Sequence, residues 1–344
     1  MKNQSAYLVA AQTIEIRDTP MPVMGDDEIL LEMKHVGVCG SDVSIYTSFG
    51  SRPNLMSPIV LGHECAGVVV EVGKNVTSLK PGDLVAPEPG IPCMKCEFCL
   101  GGKYNLCRSV IFMAAGPFKT AALHRYITHP ESFSFKLPEG MSTVEGAMVE
   151  PLAVGVHATN RSEVGPGDSV VILGMGTIGI MTLLACKARG VTNIVAVDLY
   201  DNRLEMATAK GAVLTVNSSK EDVEEAVNKW SSGKGSQYVF ETAGNPTTAA
   251  LTSKLVKHGG RVVMVGNIHG ETSYNFLQMN GKEADILSVF RYRNVYPMTI
   301  EAISTGITPV QDLATSFFPF EQTNIAFDKA LNDRQNQVKV IIEF

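Results

Sequence analysis

The sequence has little of what binding to nucleic acid or another polyanion usually requires. Its 29 lysine and arginine residues are outnumbered by 35 aspartate and glutamate residues, which gives a formal net charge of -6. Because phosphate backbones are held mainly by clustered basic side chains, this composition favours no nucleic-acid partner. Charged residues make up 19% of the chain and hydrophobic residues 45%, which excludes intrinsic disorder and a coiled coil.

Long hydrophobic segments are also scarce. The first residues contain only a short apolar stretch, 6–11, followed by acidic side chains, which is unlike a secretory signal and predicts a cytoplasmic protein. Residues 169–186 carry no charge over 18 positions, which is close to the length of a membrane span. Three glycines interrupt this run and fit a nucleotide-binding turn better, so no membrane partner is predicted.

A chain of 344 residues is long enough for about two domains. Up to about residue 150, short strands are separated by turn residues, as in 29–33, 67–72 and 83–87. After residue 166, apolar strands alternate with helical stretches, and a last strand, 338–342, follows once this alternation has faded. Those apolar strands are 170–173, 193–197, 237–242 and 261–265.

Fully apolar strands that alternate with helices predict a parallel sheet covered on both faces. The chain is therefore predicted to be an α/β protein with two domains. A β-rich domain spans residues 1–155, with 295–344 returning to it, and a nucleotide-type domain spans residues 156–294.

A glycine motif marks the candidate nucleotide site. Gly174, Gly176 and Gly179 follow the strand VVIL, and with Thr177 and Ile178 they open a helical segment. In this context the first glycine makes the tight turn, the second admits a pyrophosphate and the third lets the helix pack on the strand. The alternative is a glycine-rich turn that only serves packing.

Asp198 strengthens the nucleotide hypothesis because it ends the next apolar strand, 19 residues after Gly179. A carboxylate at this position accepts hydrogen bonds from ribose hydroxyls and repels a 2'-phosphate, which favours NAD over NADP. Leu199 and Tyr200 supply no arginine that would reverse this preference. Arg203 is near enough in sequence to leave the preference open.

Four of the seven cysteines, which are Cys93, Cys96, Cys99 and Cys107, lie within fifteen positions. Four thiolates in one short loop make a closed tetrahedral zinc site, which is structural because no coordination position is open. An iron-sulfur cluster and a pair of disulfides are the alternatives.

A second, scattered set of candidate ligands comprises Cys39, His63, Glu64 and Glu150. Distant ligands suit a catalytic metal, which the fold must hold with one coordination position open. Spacing alone does not group these residues. Taken singly, Cys39 reads as a buried thiol, His63 as a satisfied histidine and Glu150 as a surface carboxylate.

Four segments occur in the order and approximate spacing of zinc-dependent medium-chain dehydrogenases: VGVCGSD, GHECAGVVVEVG, PGDLVAPEPG with the four-cysteine loop, and GMGTIG followed by VD. The chain resembles this family over nearly its whole length. EPLAVGVHA and FRYRNVYP further resemble its polyol dehydrogenase branch. The resemblance implies a GroES-like catalytic domain, a Rossmann domain, two zinc ions per chain and NAD.

The resemblance also assigns roles to residues near the predicted catalytic metal. Cys39, His63 and Glu64 resemble its three protein ligands, although Glu150 is an alternative to Glu64 and is otherwise expected to orient the metal's water. Asp42 resembles the carboxylate that fixes the tautomer of the ligand histidine. Ser41 resembles the hydroxyl that begins a proton relay.

Arg291 and Tyr292 match the substrate-binding pair of the polyol branch. Their alternative roles are a surface arginine and a packed aromatic. Two departures concern the substrate. Ile45 stands where sorbitol dehydrogenases often have a tyrosine, and the segment 44–51 is about one residue longer, so Tyr46 is a candidate replacement.

The implied reaction is the NAD-dependent oxidation of a C5 or C6 polyol such as sorbitol, iditol, xylitol or galactitol to its ketose, by a homotetramer or homodimer. It needs a Lewis acid for the alcohol oxygen and a hydride acceptor for the same carbon. Butanediol or threonine dehydrogenase activity uses the same parts. A catalytically silent dinucleotide-binding protein is the alternative from another class, and a zinc-ribbon nucleic-acid module is disfavoured by the absence of a repeated basic face.

Overall fold

The computed structural model describes residues 2–50, 58–116 and 120–344. Within them, the strands are β1 Asn3–Ala10, β2 Thr13–Thr19, β3 Glu28–Gly37, β4 Ile59–Val60, β5 Glu64–Val72, β6 Leu84–Pro87, β7 Gly90–Ile91, β8 Ile111–Phe112, β9 Tyr126–Pro130, β10 Ser134–Lys136, β11 Ser169–Leu173, β12 Asn193–Asp198, β13 Leu214–Asn217, β14 Ser236–Glu241, β15 Val256–Met264, β16 Asp285–Ser288, β17 Ala314–Pro319 and β18 Lys339–Glu343.

The helices of the same residues are α1 Gly40–Ser48, α2 Glu97–Leu100, α3 Thr143–Ala147, α4 Val149–Ser162, α5 Thr177–Ala188, α6 Asp201–Ala209, α7 Val223–Trp230, α8 Pro246–Leu255, α9 Phe276–Lys282, α10 Tyr296–Ser304 and α11 Thr323–Asn332. The chain divides into two compact units, residues 1–150 with 296–344 and residues 151–295.

The first unit is built around a mainly antiparallel sheet of order β10-β6-β5-β3-β18-β17, in which β9 also pairs with β3. The long strand β3 is central because it pairs with β5 and with both β9 and β18. Its apolar side chains, among them Ile29, Leu31 and Met33, are completely buried in the core of the unit. The central position of β3 brings segments that are far apart in sequence next to each other.

The C-terminal segment returns to this first unit. Strand β18 pairs antiparallel with β3, so that Ile341 faces Gly37, and β17 pairs parallel with β18. Helix α11 connects β17 to β18 and packs against both of them. The alternation of strand and helix therefore continues beyond residue 295, although the sequence predicts that it fades there. One more crossover is needed, because β17 and β18 are parallel and β18 has to lie beside β3.

The second unit contains a six-stranded parallel sheet of order β13-β12-β11-β14-β15-β16. Its central strand β11 buries Val170, Val171, Ile172 and Leu173 completely, as expected for a parallel strand covered on both faces. The strand order reverses at β11, where nucleotides bind in such sheets. The predicted fold class, a β-rich region with a doubly wound parallel sheet, is confirmed.

The uncharged run at 169–186 contains β11, the glycine turn and most of α5. Strand β11 and helix α5 explain the lack of charge in this run, because most of their residues are buried in the second unit. In the part of the chain that the structure describes, no helix has the length and apolar character needed to cross a membrane.

Candidate functional site

Two groups of potential metal ligands lie in the first unit. The first consists of Cys39, His63 and Glu64, whose ligand atoms all lie within 4.8 Å of one another. Cys39 directly precedes α1, while His63 and Glu64 lie at the start of β5. Pairing of β5 with β3, which leads into α1, brings the three side chains together. A sulfur, an imidazole nitrogen and a carboxylate oxygen form a donor set that suits zinc.

The Asp42 carboxylate lies beside the histidine of this cluster. The Asp42 side chain is almost fully buried, and its Oδ2 lies 3.4 Å from Nδ1 of His63. The backbone N–H groups of Cys39 and Gly62 donate to the same carboxylate, each over 3.4 Å. Burial alone would lower the pKa of His63, but the charges of Asp42 and Cys39 raise it well above its usual value. The acidic side chains of Asp42 and Cys39 that act on the imidazole would likewise attract a bound cation.

Glu64 contacts a residue that the sequence analysis did not identify, which is Lys339 on β18. The Lys339 ammonium donates to Oε2 of Glu64 and, over 3.2 Å, to the carbonyl oxygen of Val38. Lys339 and Glu64 are both almost completely buried. A lysine in the apolar strand KVIIE is the sequence signal that could have revealed it, because a buried lysine needs a partner.

Glu150 and Ser41 lie at the edge of this arrangement. Among the described residues, the ligand cluster contains Glu64 and not Glu150, so the geometry favours Glu64 as the third ligand. Glu150 is buried at the start of α4, and its charge helps to raise the pKa of Lys339. The exposed Ser41 hydroxyl donates to Sγ of Cys39 over 3.3 Å.

The second group consists of Cys93, Cys96, Cys99 and Cys107, whose sulfurs also lie within 4.8 Å of one another. Backbone N–H groups contribute to this loop, since the N–H of Cys93 donates to Sγ of Cys107 over 3.4 Å. Hydrogen bonds from the N–H groups of Lys95 and Cys96 lower the pKa of Cys93 to about 6. Among the residues that the structure describes, the group consists of these four sulfurs alone, which suits a closed, structural zinc site.

The glycine motif of the second unit has the geometry expected for a dinucleotide turn. Gly174 has a φ of +96°, a conformation that favours glycine, and follows β11 directly. A Cβ on Gly179 would overlap the carbonyl oxygen of Gly174, so only glycine permits this close approach of α5. Helix α5 begins at Thr177 after Gly176, and the N-terminus of a helix in this position is the end that favours a phosphate.

Asp198 lies at the end of β12 and closes the same turn. Its Oδ2 accepts a hydrogen bond of 2.6 Å from the N–H of Met175, while Oδ1 accepts from the N–H groups of Leu199 and Tyr200. The Arg203 guanidinium lies 3.7 Å from Oδ2 of Asp198 and over the ring of Tyr200. A carboxylate and a guanidinium thus lie side by side at the strand end where Rossmann folds in general recognise the ribose of a dinucleotide.

Arg291 and Tyr292 follow β16 in the second unit. Arg291 has a φ of +53°, which is unusual for a residue with a side chain, and its guanidinium lies over the ring of Phe290. Tyr292 is almost fully buried. The positions of Arg291 and Tyr292 do not test their predicted role in substrate binding, which stays a prediction.

Tyr46 does not replace the tyrosine that position 45 lacks. It is completely buried, and its hydroxyl donates to Asp328 over 2.8 Å and to the carbonyl oxygen of Gln12 over 3.0 Å. Ile45 is partly buried against the same core. Ser51, the last residue of the longer segment, lies outside the described residues.

A β-rich unit with two groups of zinc-type ligands and a Rossmann unit with a dinucleotide turn define the class of zinc-dependent dehydrogenases. Residues 25–139 match the family model of the alcohol dehydrogenase GroES-like domain, and residues 177–305 match that of the zinc-binding dehydrogenases. The chain belongs to the zinc-dependent alcohol dehydrogenase family. Its GroES-like and Rossmann domains and its membership of the polyol dehydrogenase branch are confirmed.

Two curated relatives cover nearly the whole chain. The uncharacterized zinc-type alcohol dehydrogenase-like protein YdjJ of Escherichia coli K12 is 44% identical over 100% of this chain and 99% of its own. The sorbitol dehydrogenase of Bacillus subtilis is 38% identical over 98% of this chain and 96% of its own. The chain is therefore an oxidoreductase of this family.

Solved structures agree with this assignment and add the cofactor. An Escherichia coli oxidoreductase of unknown specificity has a TM-score of 0.97 and 44% identity, with 100% and 99% of the two chains covered. An alcohol dehydrogenase from Escherichia coli CFT073 contains NADH, with a TM-score of 0.93, 26% identity and 100% and 99% coverage. A zinc-binding dehydrogenase from Sinorhizobium meliloti contains NADP, with a TM-score of 0.89, 27% identity and 100% coverage of both chains. Zinc and a nicotinamide dinucleotide are thus the cofactors of the family.

Proposed function

We propose that this protein oxidises a secondary alcohol of a C5 or C6 polyol to a ketose, with NAD as the hydride acceptor. The observation that carries the proposal is the cluster of the partly exposed Cys39 with the buried His63 and Glu64, in a chain that also contains a complete dinucleotide turn. Similarity to a sorbitol dehydrogenase supports a polyol as the substrate.

The residues of the cluster fit a catalytic zinc ion. Cys39, His63 and Glu64 supply three protein ligands, the number that leaves one tetrahedral position open to substrate. Because Nδ1 of His63 faces Asp42, Nε2 is the nitrogen that remains for the metal. When bound, zinc supplies Lewis acidity that makes an alcohol oxygen more acidic, and the nicotinamide supplies a hydride acceptor.

The chain's own residues hold and move the proton. Ser41 is exposed and donates to Cys39, so its hydroxyl connects the cluster with solvent and is our candidate for the first step of a proton relay. The buried Glu150 is our candidate for orienting the water or alcohol at the open position. Arg291 and Tyr292 are proposed to bind the further hydroxyls of a polyol, since each hydroxyl buried without a partner costs about 1 to 3 kcal/mol.

The proposed preference for NAD depends on Asp198. Its carboxylate would accept from the ribose hydroxyls and repel a 2'-phosphate, whereas the adjacent Arg203 would attract that phosphate. We expect Asp198→Ala to raise KM for NAD and to lower the NAD/NADP ratio of kcat/KM by about tenfold. Arg203→Ala is the matched control and should raise the ratio. An unchanged ratio in Asp198→Ala contradicts the assigned role.

The substrate proposal is tested with a panel of sorbitol, iditol, xylitol and galactitol, each with NAD and with NADP, followed at the nicotinamide absorbance. Zinc content is measured in the same preparations, and we expect two ions per chain. Faster turnover of butanediol or threonine would replace the polyol with the second candidate substrate class. NAD binding without turnover, together with one zinc ion per chain, would indicate the catalytically silent protein.

We also propose that the enzyme is a homodimer or homotetramer, as its polyol branch implies. Sedimentation velocity of the zinc-loaded protein measures this directly. A monomer at the concentrations used for the activity assay would contradict the proposal.

A further inference from the structure

Lys339 is a buried charged residue beside the candidate metal site, and the proposed reaction assigns it no role. Its side chain is 2% exposed, and its ammonium contacts the Glu64 carboxylate and the carbonyl oxygen of Val38. Lys339 and Glu64 are separated by 275 positions in sequence. An unpaired ammonium in this environment would be very costly, so its position depends on the acidic groups around it.

The strand that separates Lys339 from Glu64 is adapted to their contact. Strand β3 lies between β5 and β18, and its Gly37 pairs with Glu64 on one side and with Ile341 on the other. A Cβ on Gly37 would overlap Oε2 of Glu64 and lie 3.2 Å from Cδ of Lys339. The missing side chain at position 37 thus provides the space in which the lysine reaches the carboxylate.

The acids around Lys339 are the groups at the candidate metal site. The Lys339 ammonium donates to Glu64 and also interacts electrostatically with Cys39 and Glu150. The packing of strands does not require a buried ion pair such as Lys339 and Glu64, because apolar side chains of similar volume usually stabilise a core equally well. The pair therefore calls for a role at the metal rather than in packing.

We propose, on the basis of the function proposed above, that Lys339 is a positioning residue that limits how strongly Glu64 binds the catalytic metal. The ammonium holds Oε2, so that Oε1 is the oxygen offered to the metal. Its positive charge also repels the metal ion and offsets part of the negative charge of the ligands. The metal is consequently held less tightly and stays a stronger Lewis acid.

The test replaces the charge and measures metal binding. Protein loaded with Co²⁺ at both sites is compared with Cys39→Ala loaded in the same way, and the difference spectrum isolates the cluster from the four-cysteine loop. In Lys339→Met we expect this difference spectrum to change, since Glu64 is free to rearrange, and the cluster to bind Co²⁺ about tenfold more tightly in a chelator titration. Lys339→Arg retains the charge and should stay close to wild type in both measurements.

Lys282→Met is the matched control, because Lys282 also has a partly buried ammonium that donates to three carbonyl groups, those of Ser253, Lys254 and Val256. It should lower stability without changing the difference spectrum or the affinity. If Lys339 only joins strands, Lys339→Met should bind Co²⁺ with weaker or unchanged affinity and have an unchanged difference spectrum. That result overturns the proposal.

If Lys339→Met does not fold, Lys339→Gln, which retains a donor for the Val38 carbonyl, is measured instead with the same expected results. Failure of the proposed function is recognised separately. In that case the wild-type protein and Cys39→Ala have the same spectrum and the same metal content, whatever residue stands at position 339.

Discussion

The four sulfurs of the cysteine loop come from residues 93–107, whereas Cys39 directly precedes α1, His63 directly precedes β5 and Glu64 begins β5. In the loop, two of the four cysteines are buried and the chain's own N–H groups support the sulfurs. In the scattered cluster, His63 and Glu64 are buried, and the supporting groups are the charged side chains of Asp42 and Lys339. One group is assembled by local backbone geometry and the other by the whole sheet.

Because the two groups are assembled differently, we expect their metals to contribute differently to folding and to the reaction. A loop with little core of its own gains its folded structure from the metal, so the binding free energy there is folding free energy. The cluster lies in a core that is formed by apolar strands, and its metal is therefore expected to contribute to the reaction more than to folding. The following predictions test this division.

The largest expected effect is on catalysis, in Cys39→Ala. Loss of a ligand removes Lewis acidity worth several kcal/mol, so NADH formation should fall by about a thousandfold or more. The protein should remain folded and contain one zinc ion per chain. Turnover assays, zinc analysis and thermal unfolding measure these quantities. Cys186→Ala, at a buried thiol outside both groups, is the control and should retain turnover, whereas normal turnover in Cys39→Ala would refute the division.

The second prediction concerns stability. Cys99→Ala opens the four-cysteine loop, and we expect the free energy of unfolding to fall by about 3 to 5 kcal/mol, a loss typical of removing a structural metal or buried network. Values of kcat and KM per folded chain should stay within about threefold of wild type. Denaturant unfolding and active-fraction kinetics give the two numbers. A large loss of kcat with unchanged stability would reverse the roles of the two groups.

The same division explains what could be predicted from the sequence. Spacing alone predicted the four-cysteine loop, and glycine spacing together with the flanking strand, the helical segment and Asp198 predicted the glycine turn, because the residues that form each of them are close in sequence. The predicted strands at 29–33, 67–72 and 170–173 lie within β3, β5 and β11, since buried apolar runs determine them. Spacing did not group Cys39 with His63, and the sequence analysis missed Lys339 altogether, because the contact between Lys339 and Glu64 exists only once β18 has paired with β3.

A third prediction concerns a buried carboxyl group that interacts with one residue near each of the two groups. The buried Glu88 interacts with Tyr104 in the cysteine loop and with Glu150 near the cluster. Burial raises the pKa of its carboxyl from 4.5 to about 7, the hydroxyl of Tyr104 opposes this rise, and the charge of Glu150 adds to it. Since the folded state holds the proton more tightly, the stabilising effect of the protonated form is complete below about pH 4.5 and is lost as the pH rises through about 7.

Glu88→Gln removes this titration. From pH 5 to pH 8, the free energy of unfolding of the variant should gain about 3 kcal/mol relative to wild type. Denaturant unfolding at several pH values measures the free energy of unfolding of both proteins. The two proteins are compared by how steeply this free energy changes with pH, so a pH-independent effect of the substitution does not matter. Parallel curves for the two proteins would show that Glu88 has an ordinary pKa.

The smallest predicted effect is the loss of one supporting charge in Asp42→Asn. The amide has nearly the same shape as the carboxylate, but it no longer provides the charge that stabilises the ligand histidine through Nδ1. We expect the metal affinity of the cluster to fall by about 10- to 100-fold, the usual cost of losing such a partner, with no change in the affinity of the four-cysteine loop. Chelator titration of each site measures both affinities. The matched control is Asp83→Asn, which removes another buried carboxylate of the same unit, paired with Lys136, and should alter stability alone. If Asp42→Asn weakened both sites equally, the change would be a general loosening of the unit, whereas loss confined to the cluster would show that side-chain charge supports only the site assembled by the sheet.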